Sequence, residues 1–216
     1  MNTNPNAKRI LFFGDSFTFG RLTGTGRFDS KTRFTGVVQD NLWSDYEIIE
    51  EWLRARTLSG ENKFFHHRDG LESFDGIVGS HFPLNLVVIF LGTNDMNTGF
   101  DKTAEDMEMA LSAYLQKLQE WWTFFNLPAP KVLLVCPPFV NDSLLPPAFV
   151  TLFGWAEAKS RALPGIYKAF AEKNWIAYFD SNEIVQAGDV DGVHIDAESH
   201  KKLGDALSQV ISNIWL

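Results

Sequence analysis

Four short segments of this chain carry side chains that could do chemistry together. The first is Gly14-Asp15-Ser16-Phe17-Thr18-Phe19-Gly20, where a serine follows a glycine that permits a tight turn. A serine hydroxyl becomes a nucleophile when a base reaches it. The second is Asp191-Gly192-Val193-His194 near the C-terminus. There a turn can bring a carboxylate beside an imidazole, and a base needs such an orienting group. The third is Gly92-Thr93-Asn94-Asp95, whose Asn94 amide could donate to a developing oxyanion. The fourth is Arg54-Ala55-Arg56-Thr57, which offers backbone amides. Each has a plainer reading. Ser16 could be a helix cap, Asn94 could close an Asx turn, and Asp191 and His194 could be loop residues. The chemistry these residues could share is acyl transfer.

That chemistry requires elements that bring distant segments to one edge. Apolar runs at Ile10–Phe13, Glu47–Ile49, Leu86–Leu91 and Val132–Val135, with a weaker one at Ile176–Phe179, read as strands buried on both faces. Helical periodicity appears over Thr35–Trp43, Thr103–Phe125, Trp155–Lys173 and Glu198–Leu216. Thr103 followed by Asp106 predicts a capped start for the long helix. In the last helix Leu203, Leu207, Val210 and Ile214 form the apolar stripe. Alternating strands and helices predict a three-layer α/β/α fold, with a mainly parallel five-stranded sheet, in a single domain over residues 1–216. Such sheets bind ligands at the carboxyl ends of their strands, where Ser16, Ala55 and Asn94 follow strands.

Composition narrows the function. With 19 basic and 27 acidic residues the net charge is −8 and the pI near 5.1, which argues against a nucleic-acid partner. The longest apolar run is too short to span a bilayer, and the first residues lack a signal-peptide pattern. One cysteine, Cys136, cannot form an internal disulfide, so a soluble cytoplasmic protein is expected. Aromatic residues make up 14% of the chain. Phe17 and Phe19 are expected to shape a pocket near Ser16. The Pro-rich stretch Pro137–Phe153 reads as an apolar loop over the site or against another subunit. His66-His67 has no third ligand at suitable spacing, so no metal is expected. Cys136 reads as a buried inert thiol.

The four segments, taken in their order along the chain, resemble the SGNH hydrolases of the GDSL esterase group. Gly14-Asp15-Ser16 resembles the family's first block, Gly92-Thr93-Asn94-Asp95 its third, and Asp191-x-x-His194 its fifth. The resemblance is nearest to microbial arylesterases with acyltransferase and perhydrolase activity, through Lys8-Arg9-Ile10-Leu11, Arg33–Val37, Ala129–Leu133 and Asp191–Ile195. It implies a flavodoxin-like SGNH hydrolase fold. It also implies Ser16 as nucleophile, His194 as general base and then acid, and Asp191 as its orienter. The implied oxyanion hole is the Ser16 amide, the Ala55 amide and the Asn94 side chain. No cofactor is implied. The partners are a small-molecule ester and an acyl acceptor (water, alcohol or peroxide), and the assembly a homo-oligomer. Two positions depart from the family pattern: Ala55 stands where Gly is usual, and Trp52 replaces a smaller residue. Ala55 keeps its amide, but a left-handed backbone there would be disfavoured. The alternatives are a carbohydrate deacetylase or lysophospholipase of the same family, and, in another class, a non-catalytic flavodoxin-like binding module.

Overall fold

The computed structural model describes residues 2–22, 26–188 and 191–214. Five strands form one parallel sheet in the order β2-β1-β3-β4-β5: β1 Lys8–Gly14, β2 Tyr46–Trp52, β3 Leu86–Phe90, β4 Lys131–Cys136 and β5 Ala177–Asp180. Side chains alternate across the sheet. Ile10 and Phe12 therefore join one core with Phe34, Val38, Leu203, Leu207 and Ile211. Leu11 and Phe13 join the other with Phe74, Leu111, Tyr114, Leu118 and Trp122. Helices α2 (Phe34–Leu42) and α8 (Ala197–Ile214) cover the first face. Helices α3 (Gly70–His81), α4 (Ala104–Phe124) and α7 (Leu163–Asn174) cover the second. This is the three-layer α/β/α sandwich predicted from the strand and helix pattern.

Strand β3 is buried throughout, and β4 from Val132 onward. Strand β2 is only half-buried, because it is an edge. Its Glu50 pairs with Arg27 and Arg33 instead of packing apolar groups. Helix α4 starts at the predicted capping box: Thr103 Oγ1 accepts from the Asp106 N–H at 3.2 Å, and Asp106 accepts from the Thr103 N–H at 2.8 Å. In α8 the deepest stripe is Leu203, Leu207 and Ile211, with Val210 and Ile214 at its margin. The predicted end of that helix at Leu216 lies outside the described residues.

Three differences from the sequence reading matter. Helix α3 was not predicted, since Gly70, Gly76 and Gly79 obscure its periodicity. Packing explains two of these glycines. A Cβ on Gly70 would lie 2.4 Å from the Thr57 carbonyl oxygen, and one on Gly79 2.8 Å from Trp121. The expected single helix Trp155–Lys173 is two helices, α6 (Ala156–Ser160) and α7, because Pro164 must sit in a first turn. The expected apolar loop 137–153 contains helix α5 (Pro147–Phe153), which also starts with a proline. Among the described residues no helix is long and apolar enough to cross a membrane.

Candidate active site

Strand β1 delivers Ser16 to the first residue of the short helix α1 (Ser16–Phe19). Asp15 caps that helix, accepting from the Phe17 N–H at 2.9 Å. Glycine is required before it, because a Cβ on Gly14 would meet Thr18 Oγ1 at 2.1 Å. On the far side of the chain, Asp191 organises the turn that presents His194. Its Oδ1 accepts from the Val193 and His194 N–H groups at 3.1 and 2.8 Å. Its Oδ2 faces His194 Nδ1 at 2.8 Å. Gly192 sits at φ 67°, and its N–H and C=O tie the turn to Gly188 and Asn141. His194 Nε2 lies 2.8 Å from Ser16 Oγ. A relay of three side chains separated by 178 residues in sequence is thus closed by hydrogen bonds.

Burial pushes the His194 imidazole below its ordinary value of 6.5, against the upward pull of Asp191, and the Arg21 and Arg54 charges push it further down. Burial alone would raise the Asp191 carboxyl. Its hydrogen bonds to His194 and Val193 outweigh that and bring it to about 2. At neutral pH the pair is therefore an aspartate beside a neutral imidazole, with the Nδ1–H facing the carboxylate.

The other two segments close around Ser16. The turn after β2 carries Ala55 at φ 65°. This is the left-handed backbone disfavoured for alanine, at a cost of about 1–2 kcal/mol. Arg56 fastens the turn to both strand ends, donating to the Gly14 and Glu51 carbonyls at 2.9 and 2.8 Å. Neither the Ser16 nor the Ala55 N–H donates to a protein acceptor among the described residues. The Asn94 Nδ2 group donates to Asp15 Oδ2 at 2.9 Å and to the Arg56 carbonyl at 3.0 Å. Burial raises the Asp15 carboxyl to about 7, partly offset by the Phe17 N–H and Arg56. Asp95, fully buried, accepts from the Leu58 N–H at 2.7 Å and pairs with Lys102, holding the loop behind the site.

Ser16, Ala55, Asn94 and His194 line one cavity of about 430 Å³. Its aromatic walls are Phe64, Phe65, Phe149 and Phe153. Phe17 and Phe19 do not line it, contrary to the sequence expectation. Phe17 turns into the core and stacks on Phe90 at 5.5 Å, and Phe19 packs on Trp52 at 4.5 Å. Trp52 likewise lies outside the cavity wall. The sequence reading also missed Arg21 and Asn62, which line the cavity, and Arg56, which braces it. The block Arg54–Thr57 holds two arginines, and that was the available signal. Cys136 is buried, which pushes its thiol well up. Among the described residues no three His, Cys, Asp or Glu side chains gather as a metal site.

The fold is a parallel three-layer α/β/α sandwich with Ser16, Ala55 and Asn94 beyond the ends of β1, β2 and β3. The chain belongs to the GDSL-like lipase/acylhydrolase family, whose sequence pattern matches residues 12–202. Among solved structures, the native aryl esterase of M. smegmatis is 34% identical, with a TM-score of 0.89 over 96% of this chain and 99% of that one. A carbohydrate acetylesterase from Sinorhizobium meliloti is 32% identical, with a TM-score of 0.89 and the same coverage. A lipase/acylhydrolase from Enterococcus faecalis, 18% identical, shares the fold at a TM-score of 0.66, over 95% of this chain and 96% of that one. A search of curated proteins gave no match.

Proposed function

We propose that this esterase works through an acyl-enzyme formed on Ser16. The observation that carries the reading is the Ser16–His194–Asp191 relay, with both links at 2.8 Å, opening onto the cavity. Neutral His194 takes the Ser16 proton as Oγ attacks the ester carbonyl. Asp191 keeps the Nδ1–H tautomer and stabilises the imidazolium that forms. The imidazolium then protonates the departing alcohol, and the acceptor repeats the sequence in reverse. The Ser16 and Ala55 amides and the Asn94 side chain hold the oxyanion. Each such donor contributes about 3–4 kcal/mol in comparable sites. Both Asn94 Nδ2 hydrogens are engaged, by Asp15 Oδ2 and by the Arg56 carbonyl, so the oxyanion must displace one of these acceptors.

The acyl group passes to water, an alcohol or peroxide. The apolar wall of Phe149, Leu152 and Phe153 supports an alcohol acceptor, since it favours an organic molecule over water. The likeness to an aryl esterase favours small aryl esters. A sugar acetate is the second reading, supported by Asn62 and Asn97 on the cavity wall and by the carbohydrate acetylesterase likeness. We also propose a single-domain protein of the reducing cytoplasm, assembled as a homo-oligomer. The exposed Phe124, Trp155 and Trp175 support the assembly.

The test is direct. A fluorophosphonate adds one label to the parent by intact mass, and none to Ser16→Ala. The Ser16→Ala protein loses p-nitrophenyl acetate hydrolysis by a factor of at least about 10³. Parent-level activity in that variant overturns the assignment.

A further inference from the structure

The whole chain carries a net charge of −8, yet among the described residues the cavity at Ser16 is lined by Arg21, Arg54 and Arg68 and by no Asp or Glu. Most arginines nearby are already occupied. Arg27 and Arg33 pair with Glu50. Arg56 is spent on the Gly14 and Glu51 carbonyls. Arg68 donates to the Arg54 and His66 carbonyls at 2.9 and 2.7 Å, so it braces the loop.

Arg21 and Arg54 are different. Among the described residues neither guanidinium has a hydrogen-bond acceptor or a salt-bridge partner. Each instead lies over an aromatic face: Arg21 is 5.1 Å from the Phe149 ring centre and Arg54 5.7 Å from that of Phe19. Such stacking fixes the plane of the head group and leaves its N–H edge for a ligand. Arg21 is half-buried, and its Nε is shielded from solvent without any acceptor. A buried donor left unpaired costs about 1–3 kcal/mol, so a native structure is expected to give it a purpose. Among the described residues the carboxylate that acts on Arg21 is Asp191, and it is committed to Val193 and His194. Both guanidiniums also act electrically on His194, which places their field at the reacting atoms.

We propose that the ester cleaved here carries a carboxylate or a similarly compact anion, held by Arg21 and Arg54 while its carbonyl lies at Ser16. The inference rests on the esterase reading above. A planar guanidinium binds a carboxylate through two parallel N–H···O bonds, which gives orientation as well as attraction. Phe149 and Phe153 then receive the apolar body of the substrate. The anion belongs either to the acyl half or to the alcohol half, and two ester pairs separate these sources.

The first pair is 4-acetoxybenzoate against methyl 4-acetoxybenzoate, with the charge in the leaving group. The second is phenyl hydrogen glutarate against phenyl valerate, with the charge in the acyl group. Each kcat/KM is divided by that ester's own hydroxide rate. In the parent, at least one pair favours the anion by about tenfold or more, the lower end expected for a charged hydrogen bond. The preference shrinks at high salt, because the groups are only half-buried. Arg21→Met and Arg54→Met bring the ratio close to one, and Arg54→Lys restores part of it. The ratio cancels any loss common to both esters, so a purely structural role of either arginine would not move it.

Equal or lower rates for both anionic esters in the parent overturn the inference and leave the esterase reading standing. So does an anion preference that survives in both methionine variants. If a variant fails to fold, the salt dependence of the parent's ratio decides, and a salt-independent ratio counts against the inference. Hydrolysis of none of the four esters overturns both readings.

Discussion

His200 offers a quantitative test of how the loop carrying His194 is anchored. It lies in the first turn of α8, and its N–H donates to Asp196 just beyond the His194 turn. The ring is buried, parallel to Phe34 at 6.0 Å and edge-on to Phe28 at 5.1 Å. Burial, with the His194 charge adding to it, lowers its pKa from 6.5 to about 4. The unfolded chain therefore takes up this proton near pH 6.5, and the folded protein only near pH 4. Between those values the unfolded state binds more protons, so stability falls as the pH falls. At ~1.36 kcal/mol per pH unit the loss approaches about 3 kcal/mol from pH 7.5 to 4. For a protein of this size that is a drop of about 6–12 °C in Tm.

The parent alone cannot reveal it, because Asp15 titrates with the opposite sign. Its carboxyl is raised from 3.8 to about 7, so acid stabilises the fold across the same window. The informative quantity is a difference between proteins. The Phe34 N–H donates to His200 Nδ1 at 3.4 Å, and His200→Asn keeps an acceptor there while removing the titrating ring. The variant is expected to be less stable at pH 7.5, where aromatic packing is lost. Its decline from pH 7.5 to 4 is about 3 kcal/mol shallower than the parent's, by urea or thermal unfolding at each pH. Parallel pH dependences in the two proteins would refute the assignment of a neutral, buried His200.

Two further predictions concern the site. Because burial and the arginine charges lower His194, kcat/KM rises with pH through an inflection below 6.5 and is flat above it; stopped assays on an ester stable to acid check this, and an inflection above 6.5 contradicts the environment described. Ala55→Gly removes the Cβ from a residue at φ 65° while keeping the amide. Relief of about 1–2 kcal/mol of backbone strain is offset by about 0.4–1 kcal/mol of added freedom in the unfolded chain, leaving roughly 0–1.6 kcal/mol of stabilisation. Chemical unfolding measures it, and a loss above about 1 kcal/mol would show that the strain is absent.

Much of this was legible because its causes are local. Continuous apolar runs mark buried parallel strands, and the β1, β3 and β4 runs lie where predicted. Thr103 and Asp106 cap α4 through contacts three residues apart. The Asp191–His194 spacing reflects one turn held by its own carboxylate. The illegible parts depend on contacts between distant segments. Glycines in α3 suppress its propensity, yet the carbonyl of Thr57 and the ring of Trp121 demand two of them. Nothing beside Phe17 says that its ring stacks on Phe90, 73 positions later, rather than facing the substrate. The cavity aromatics come instead from the 64–65 segment and α5, which only the topology carries to Ser16.

The arginines show why whole-chain charge misleads about a site. The surplus of acid is a statement about solubility and distant partners. The potential at Ser16 depends on which charges reach it, and among the cavity's lining residues those are cationic. This matters for the base as much as for any ligand. A histidine that starts a proton transfer must be neutral at rest, yet its protonated form must be stabilised as the tetrahedral intermediate forms. Burial, Arg21 and Arg54 serve the first requirement by holding the imidazole pKa down. Asp191, 2.8 Å from Nδ1, serves the second. In the proposed mechanism the positive charge on His194 is countered by the adjacent carboxylate, while the negative charge on the substrate oxygen meets amide donors in a cavity lined by arginines. That arrangement supplies electrostatic preorganisation for acyl transfer in the proposed mechanism.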